Sequence, residues 1–306
     1  MKQQRCLVKR HYISQSKCQR SFGRANDPAA IIESGDEVTF ETTDNAYQRL
    51  ASGESPDEIP DEDYNVVTGP VAVVGAEPGD SLSIDILDIA IRRAWAIWLP
   101  DYGPLGEMTD RVQAQRLSIA DGFVSLSDRL KVPLSPMIGC IGLAPATGTA
   151  STLEPAYPFG GNLDLRELSQ GATLILPVQA SNAWLSLGDL HAAMGTGEPA
   201  FISIEAAGEA TVRVTLLKQM AMAGPRLLLA GRTLCVAVLD ENGTLEQAAR
   251  LATQQAFELL TTEFALTPFE AYSYLSARVD LRFGGPASSI VIADVPHPFG
   301  SVVQTR

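Results

Sequence analysis

With 306 residues, of which 45% are apolar and 19% charged, the chain can bury a sizeable core, and its composition excludes a disordered or linker segment. Its 23 basic against 36 acidic residues leave a net charge of −13, which disfavours a nucleic-acid partner, since phosphate binding needs clustered Lys and Arg. No run reaches the roughly 18 apolar residues of a membrane span, and Met1 to Cys6 forms no apolar signal core, so a cytoplasmic protein without membrane contacts is expected.

Along the chain, Cys6, Cys18, Cys140 and Cys235 show no CxxC spacing and are expected to be reduced thiols. His11 follows Lys9 and Arg10 in a polar segment. The acidic stretch from Gly53 to Asn65, broken by Pro56 and Pro60, lacks the spacing of a calcium loop and reads as a solvated surface loop. Val71 to Val74 reads as a buried strand, and Ser81 to Ile86 alternates polar and apolar like a strand with one wet face. Trp95 and Trp98, after Arg92 and Arg93, read as core packing, and Pro145 to Thr152 as a second loop. Leu174 to Val178 and Ile290 to Ile292 are further apolar runs of strand type, and Thr211 to Leu216 alternates again. Helix signals fall in the C-terminal third. Thr244 to Gln247 has the capping-box form ahead of Leu245, Ala248, Ala252, Ala256 and Leu259 at helical spacing, and Thr267-Pro268-Phe269-Glu270 starts a second helix reaching about Ala277. His297, between two prolines, reads as a surface turn.

Turn signals at roughly ten-residue spacing predict a mainly β protein with sandwich- or barrel-like units and a smaller α/β C-terminal part. The expected organisation is an N-terminal mainly β region over 1–150, a β region carrying the site over 151–235 and an α/β region over 236–306, integrated as one unit. The densest chemistry is Gly188-Asp189-Leu190-His191-Ala192-Ala193-Met194-Gly195-Thr196-Gly197-Glu198, directly after the strand-like Ala183 to Leu187, and it reads as a reactive loop. Asp189 and His191 stand two apart, so on extended backbone they face the same side and can share a metal ion or a proton. The glycines let the chain turn back and bring Glu198 toward them. On these residues alone, a turn aspartate with a structural histidine stays open. So do a solvated Glu198 and an Asx-type turn at Asn162 and Asp164. Glu205, alternating with Ile202 and Ile204, reads as an outward strand position.

Several phrases in order resemble the acetamidase/formamidase family of amide hydrolases. They are Ser34 to Val38, Phe40 to Asp44, Thr68 to Val71 with Gly75 to Asp80, Pro136 to Pro145, Gly160 to Asp164, Leu176 to Val178, and the Gly188 to Glu198 segment. The resemblance implies hydrolysis of a small linear amide such as formamide or acetamide, and a homodimer or higher homo-oligomer. Amide hydrolysis needs a nucleophile, carbonyl polarisation and a proton donor. A serine route would rest on Ser288 and Ser289, which lack a basic partner in sequence, and a cysteine route on Cys140, more cheaply read as a small buried hydrophobe. A metal-activated water suits the residues displayed. Asp189 and His191 would be ligands of a divalent ion, zinc or calcium, with Asp164 as the third that the resemblance implies. Glu198 would coordinate or shuttle protons, and His191 would share in catalysis. Asn162 would hold the substrate amide or align Asp164, with Met194 and Thr196 contacting substrate. At Gly195-Thr196-Gly197-Glu198 the chain departs from the family's GDGE, replacing a carboxylate with a hydroxyl, a weaker ligand for a hard cation. The competing expectation is a non-catalytic small-molecule- or metal-binding β protein derived from such an amidase. A third is a lyase or hydrolase acting on another amide or a cyclic imide.

Overall fold

β-Branched and aliphatic residues punctuated by Gly, Pro and Asp build strands throughout the structure, a computed structural model that describes residues 8–24, 27–154, 156–239, 243–285 and 290–299. Eighteen strands among these residues join one hydrogen-bonded network, and the remaining two, Ser21–Gly23 and Thr149–Ser151, pair with each other. The second of these lies in the stretch read from sequence as a loop. The chain is mainly β, as its turn spacing predicts, with helices mostly toward the C-terminus.

Two long strands organise the site. Ser81–Trp98 runs for 18 residues and Ile204–Leu217 for 14, paired antiparallel along nearly their whole length. Close approach demands glycine at Gly208, where a Cβ would collide with the carbonyl of Ala90. Ile204–Leu217 also pairs with Leu185–Ala193, which pairs in turn with Met137–Gly142. One row of directly opposed residues therefore crosses four strands, namely Trp95, Glu205, His191 and Met137. All four are buried. This geometry corrects the expectation of a reactive loop, because Asp189 and His191 lie inside the Leu185–Ala193 strand and only Met194 to Glu198 turn out of it.

The main apolar core draws on residues from Ile13 to Ile292, so the N-terminal, middle and C-terminal segments share it. A second cluster forms where α2 (Leu245–Thr262) lays Ala248, Ala252, Ala256, Leu259 and Leu260 against Cys235, Ala237, Val291, Ala293 and Val295. The spacing of these small residues gives α2 a narrow apolar stripe that seats close to the sheet. Both α2 and α3 (Pro268–Arg278) carry the predicted capping boxes, at Thr244 with Gln247 and Thr267 with Glu270. A further helix, α1 (Asn45–Ala51), corrects the restriction of helices to the C-terminal third. His297 is buried, with Nε2 3.0 Å from Thr233 Oγ1, which corrects its reading as a surface turn. Trp95 packs in the core as expected, while Trp98 is exposed. Cys18, Cys140 and Cys235 are free thiols, and Cys6 lies outside the described residues. Among the described residues no helix is long and apolar enough to cross a membrane.

Candidate active site

Strand pairing supplies the first pair of groups. His191 and Glu205 are cross-strand neighbours, and His191 Nε2 lies 3.6 Å from Glu205 Oε2 and 3.4 Å from Asp189 Oδ1. On the other side of the ring, Nδ1 is 4.0 Å from Asp164 Oδ1. The turn after Gly160–Asn162 brings Asp164 there, its amide and that of Leu163 both donating to the carbonyl of Gly139. Glu198 completes the group from the segment following the strand, its Oε1 accepting a 2.7 Å hydrogen bond from Ser203 Oγ. All five side chains are 5% exposed or less.

Backbone strain marks the same residues. Asp164, Asp189 and Glu198 have φ of 43°, 54° and 41°, left-handed conformations that cost a non-glycine residue about 1–3 kcal/mol and cluster at functional sites. Gly139 makes room for two of the carboxylates. A Cβ there would stand 2.5 Å from Asp189 Oδ2 and 2.8 Å from Asp164 Oδ1.

Electrostatically, four buried carboxylates around one imidazole form an unbalanced set. Burial pushes the carboxyls of Asp164 and Glu198 above their ordinary values, with repulsion from neighbouring carboxylates adding to it. Burial also raises Glu205, with Asp189 and Glu198 adding and His191 opposing, to about 7. Burial works against a charged His191, yet Glu205 and Asp189 outweigh it and hold the ring well above the usual histidine range. Such a site binds positive charge, whether as protons or as a cation. Asp164 Oδ1 and His191 Nδ1 are buried without hydrogen-bond partners, which suits atoms that bind a cation. Two sets of ligand atoms, from Asp164, Asp189 and His191 and from His191, Glu198 and Glu205, each lie within 4.8 Å of one another. The nitrogen-and-oxygen donor sets fit a divalent metal.

The five groups open onto a cavity of about 750 Å³. Asn162 lines it, its Oδ1 accepting from Asn65 Nδ2 at 3.2 Å, while the same amide nitrogen is 3.5 Å from Asp189 Oδ2. The sequence-predicted Asp164, Asp189, His191, Glu198 and Asn162 thus come together. Met194 and Thr196 do not join them, since neither lines the cavity and Thr196 is exposed. Glu205, read from sequence as outward, is the missing member, and Tyr47 Oη donates to its Oε2 at 2.9 Å. The strand face it shares with His191 would have revealed it had pairing been known, but alternation with apolar neighbours cannot distinguish a wet face from one that faces a cavity. Asp57 and Asp61 belong to the cavity wall rather than to a merely solvated loop. Cys140 is buried and points its thiol at the carbonyl of Thr152, as expected of a small hydrophobe. Ser288 and Ser289 lie outside the described residues.

Fold and site together define a β-rich protein with a buried carboxylate and imidazole centre under an open cavity. The chain belongs to the acetamidase/formamidase family, whose model matches residues 13–156 and 104–298. The formamidase of Methylophilus methylotrophus is 26% identical over 250 residues, covering 62% of this chain and 61% of that protein. The acetamidase of Bacillus halodurans superposes with a TM-score of 0.84 at 33% identity, covering 93% of this chain and 97% of that one. A protein of Thermoanaerobacter tengcongensis described as a predicted acetamidase/formamidase gives 0.86 at 28% identity, covering 95% and 96%. The chain spans only 61–65% of the length of the curated relatives it matches.

Proposed function

We propose that this protein hydrolyses the C–N bond of a linear amide to carboxylate and ammonia, with formamide and acetamide as the smallest members of its substrate class. The observation that carries this reading is the pair of unpartnered buried atoms, Asp164 Oδ1 and His191 Nδ1, within a five-group centre that opens to the cavity. Family membership supports the reaction class.

Asp164, Asp189 and His191 would hold a divalent ion, zinc being the best match to a mixed nitrogen and oxygen donor set and calcium the alternative. Such an ion, when bound, supplies carbonyl polarisation and a water acidic enough to attack near neutral pH. Glu198 takes the proton from the attacking water and returns it to the departing nitrogen. Its raised proton affinity and its anchor on Ser203 suit that task, because a general base works best with a pKa near the operating pH. Glu205, held by Tyr47 and by the amide of Ser203 at 3.0 Å, fixes the imidazole ring. Asn162, positioned by Asn65, offers its side-chain amide to the substrate. On family analogy the working assembly is a homodimer or larger, which light scattering would test.

The test combines metal analysis of the purified protein with ammonia release from formamide, acetamide and propionamide. Stoichiometric metal with ammonia release is the expected result. Metal without ammonia release would favour a binding protein, and turnover surviving complete chelation would overturn the metal-assisted route. Glu198→Gln should lower turnover by about 100-fold or more while leaving bound metal in place.

A further inference from the structure

The cavity is far larger than the smallest amides require. Acetamide, with four heavy atoms, fills roughly the space of two or three waters at about 30 Å³ each, whereas this site measures about 750 Å³, within the roughly 300–1,000 Å³ of pockets that enclose much larger ligands. Its wall has a consistent chemistry. Beside the buried carboxylates the lining includes Tyr64, Ile97, Leu99 and Ile202, and the exposed Tyr102 and Phe201, also in the lining, meet edge to face with ring centroids 6.5 Å apart. That aromatic pair presents a face against which a flat apolar group can pack. Charge is equally one-sided. Asp57, Asp61 and Asp101 sit exposed along the lining, and no Lys or Arg lines the cavity among the described residues.

We propose that the preferred substrate is an amide whose acyl group is bulky and apolar, of the arylacetamide kind, and carries no negative charge. This rests on the hydrolytic reading above and specifies its substrate class. The carboxamide reaches the His191 centre, the ring fills the space between Ile97, Leu99 and the Tyr102–Phe201 pair, and the acidic lining repels carboxylate-bearing analogues. A tiny amide leaves that apolar wall uncovered and gains nothing from it.

The experiment measures kcat/KM for ammonia release from acetamide, phenylacetamide and the para-carboxylate of phenylacetamide, alongside calorimetric binding of acetamide and phenylacetamide. Phenylacetamide should exceed acetamide in kcat/KM by roughly 10- to 100-fold, as expected for burying one aromatic ring. Its para-carboxylate should fall at least about tenfold below it. Phe201→Ala and Tyr102→Ala should each narrow the phenylacetamide-to-acetamide ratio several-fold. Acetamide turned over as well as phenylacetamide would overturn the inference and leave amide hydrolysis standing. A para-carboxylate handled as well as the neutral compound would overturn the charge selection. Ammonia from none of the three would overturn the hydrolytic reading instead. In that case tighter binding of phenylacetamide than of acetamide would still support the apolar selectivity, and equal or absent binding of both would refute it.

Discussion

The space at Gly139 is as much part of the site as the groups that occupy it. A methyl group there would overlap oxygens of both Asp189 and Asp164, and a displacement of about 1 Å in a reacting constellation costs on the order of 100-fold. Gly139→Ala is therefore expected to lower ammonia release at least about 100-fold, with loss of bound metal as the accompanying readout. Thr196 carries the opposite expectation. Because it is exposed and off the cavity lining, Thr196→Asp should change turnover by no more than a few-fold in the same assay, despite restoring the family's carboxylate. Away from the site, Asp44 is a buried charge with several partners. It accepts from Arg93 at 2.7 and 2.9 Å, from Trp95 Nε1 at 2.8 Å and from Gln48 at 2.6 Å. Burial alone would raise its carboxyl, yet these bonds hold it below the ordinary 3.8. A group depressed in the folded state contributes stability above its unfolded pKa and loses it as pH falls through the folded value. Asp44→Asn should thus cost about 3 kcal/mol near neutral pH, and denaturant titrations should show the gap to the parent closing below pH 3.8.

Elements differ in how far local sequence determines them. The two C-terminal helices are legible because their caps are local: Gln247 N donates to Thr244 Oγ1 at 3.2 Å and Glu270 N to Thr267 Oγ1 at 3.3 Å. Thr244→Ala is expected to cost about 1 kcal/mol, read as a lower denaturant midpoint at unchanged slope. The short α1 escapes that reading because Asp44, at its N-cap, makes no side-chain cap bond. Its carboxylate is committed to Arg93 and Trp95, some 50 residues on, where no local rule looks. The site divides along the same line. Asp189, His191 and Glu198 fall within ten residues and their type and spacing are visible, and Asp164 needed family resemblance. Glu205 needed strand pairing, because it meets His191 only through the register of Leu185–Ala193 against Ile204–Leu217. The segment from Gly188 to Ala193 reads as a loop in sequence because Gly188 and Asp189 are poor strand formers. Tertiary pairing on both edges overrides that preference.

At the scale of the whole molecule, the proposed cation should act as a structural tie as well as a catalytic one. Its ligands come from the turn after Gly160–Asn162 and from the middle of the sheet, and a ligand present at 100 times its Kd stabilises the folded state by about 2.7 kcal/mol. Exhaustive chelation should therefore lower Tm by roughly 5–10 °C, reversed on returning the metal; an unchanged Tm together with absent metal would refute the tie. The row of Trp95, Glu205, His191 and Met137 has a further consequence. Shifting one strand by a single residue sends every side chain on it to the opposite face, so a slipped sheet would keep its backbone hydrogen bonds and far-UV signal while dispersing the centre. The proposed amide hydrolysis would thus report on strand alignment, and during refolding ammonia release should return later than β-structure does.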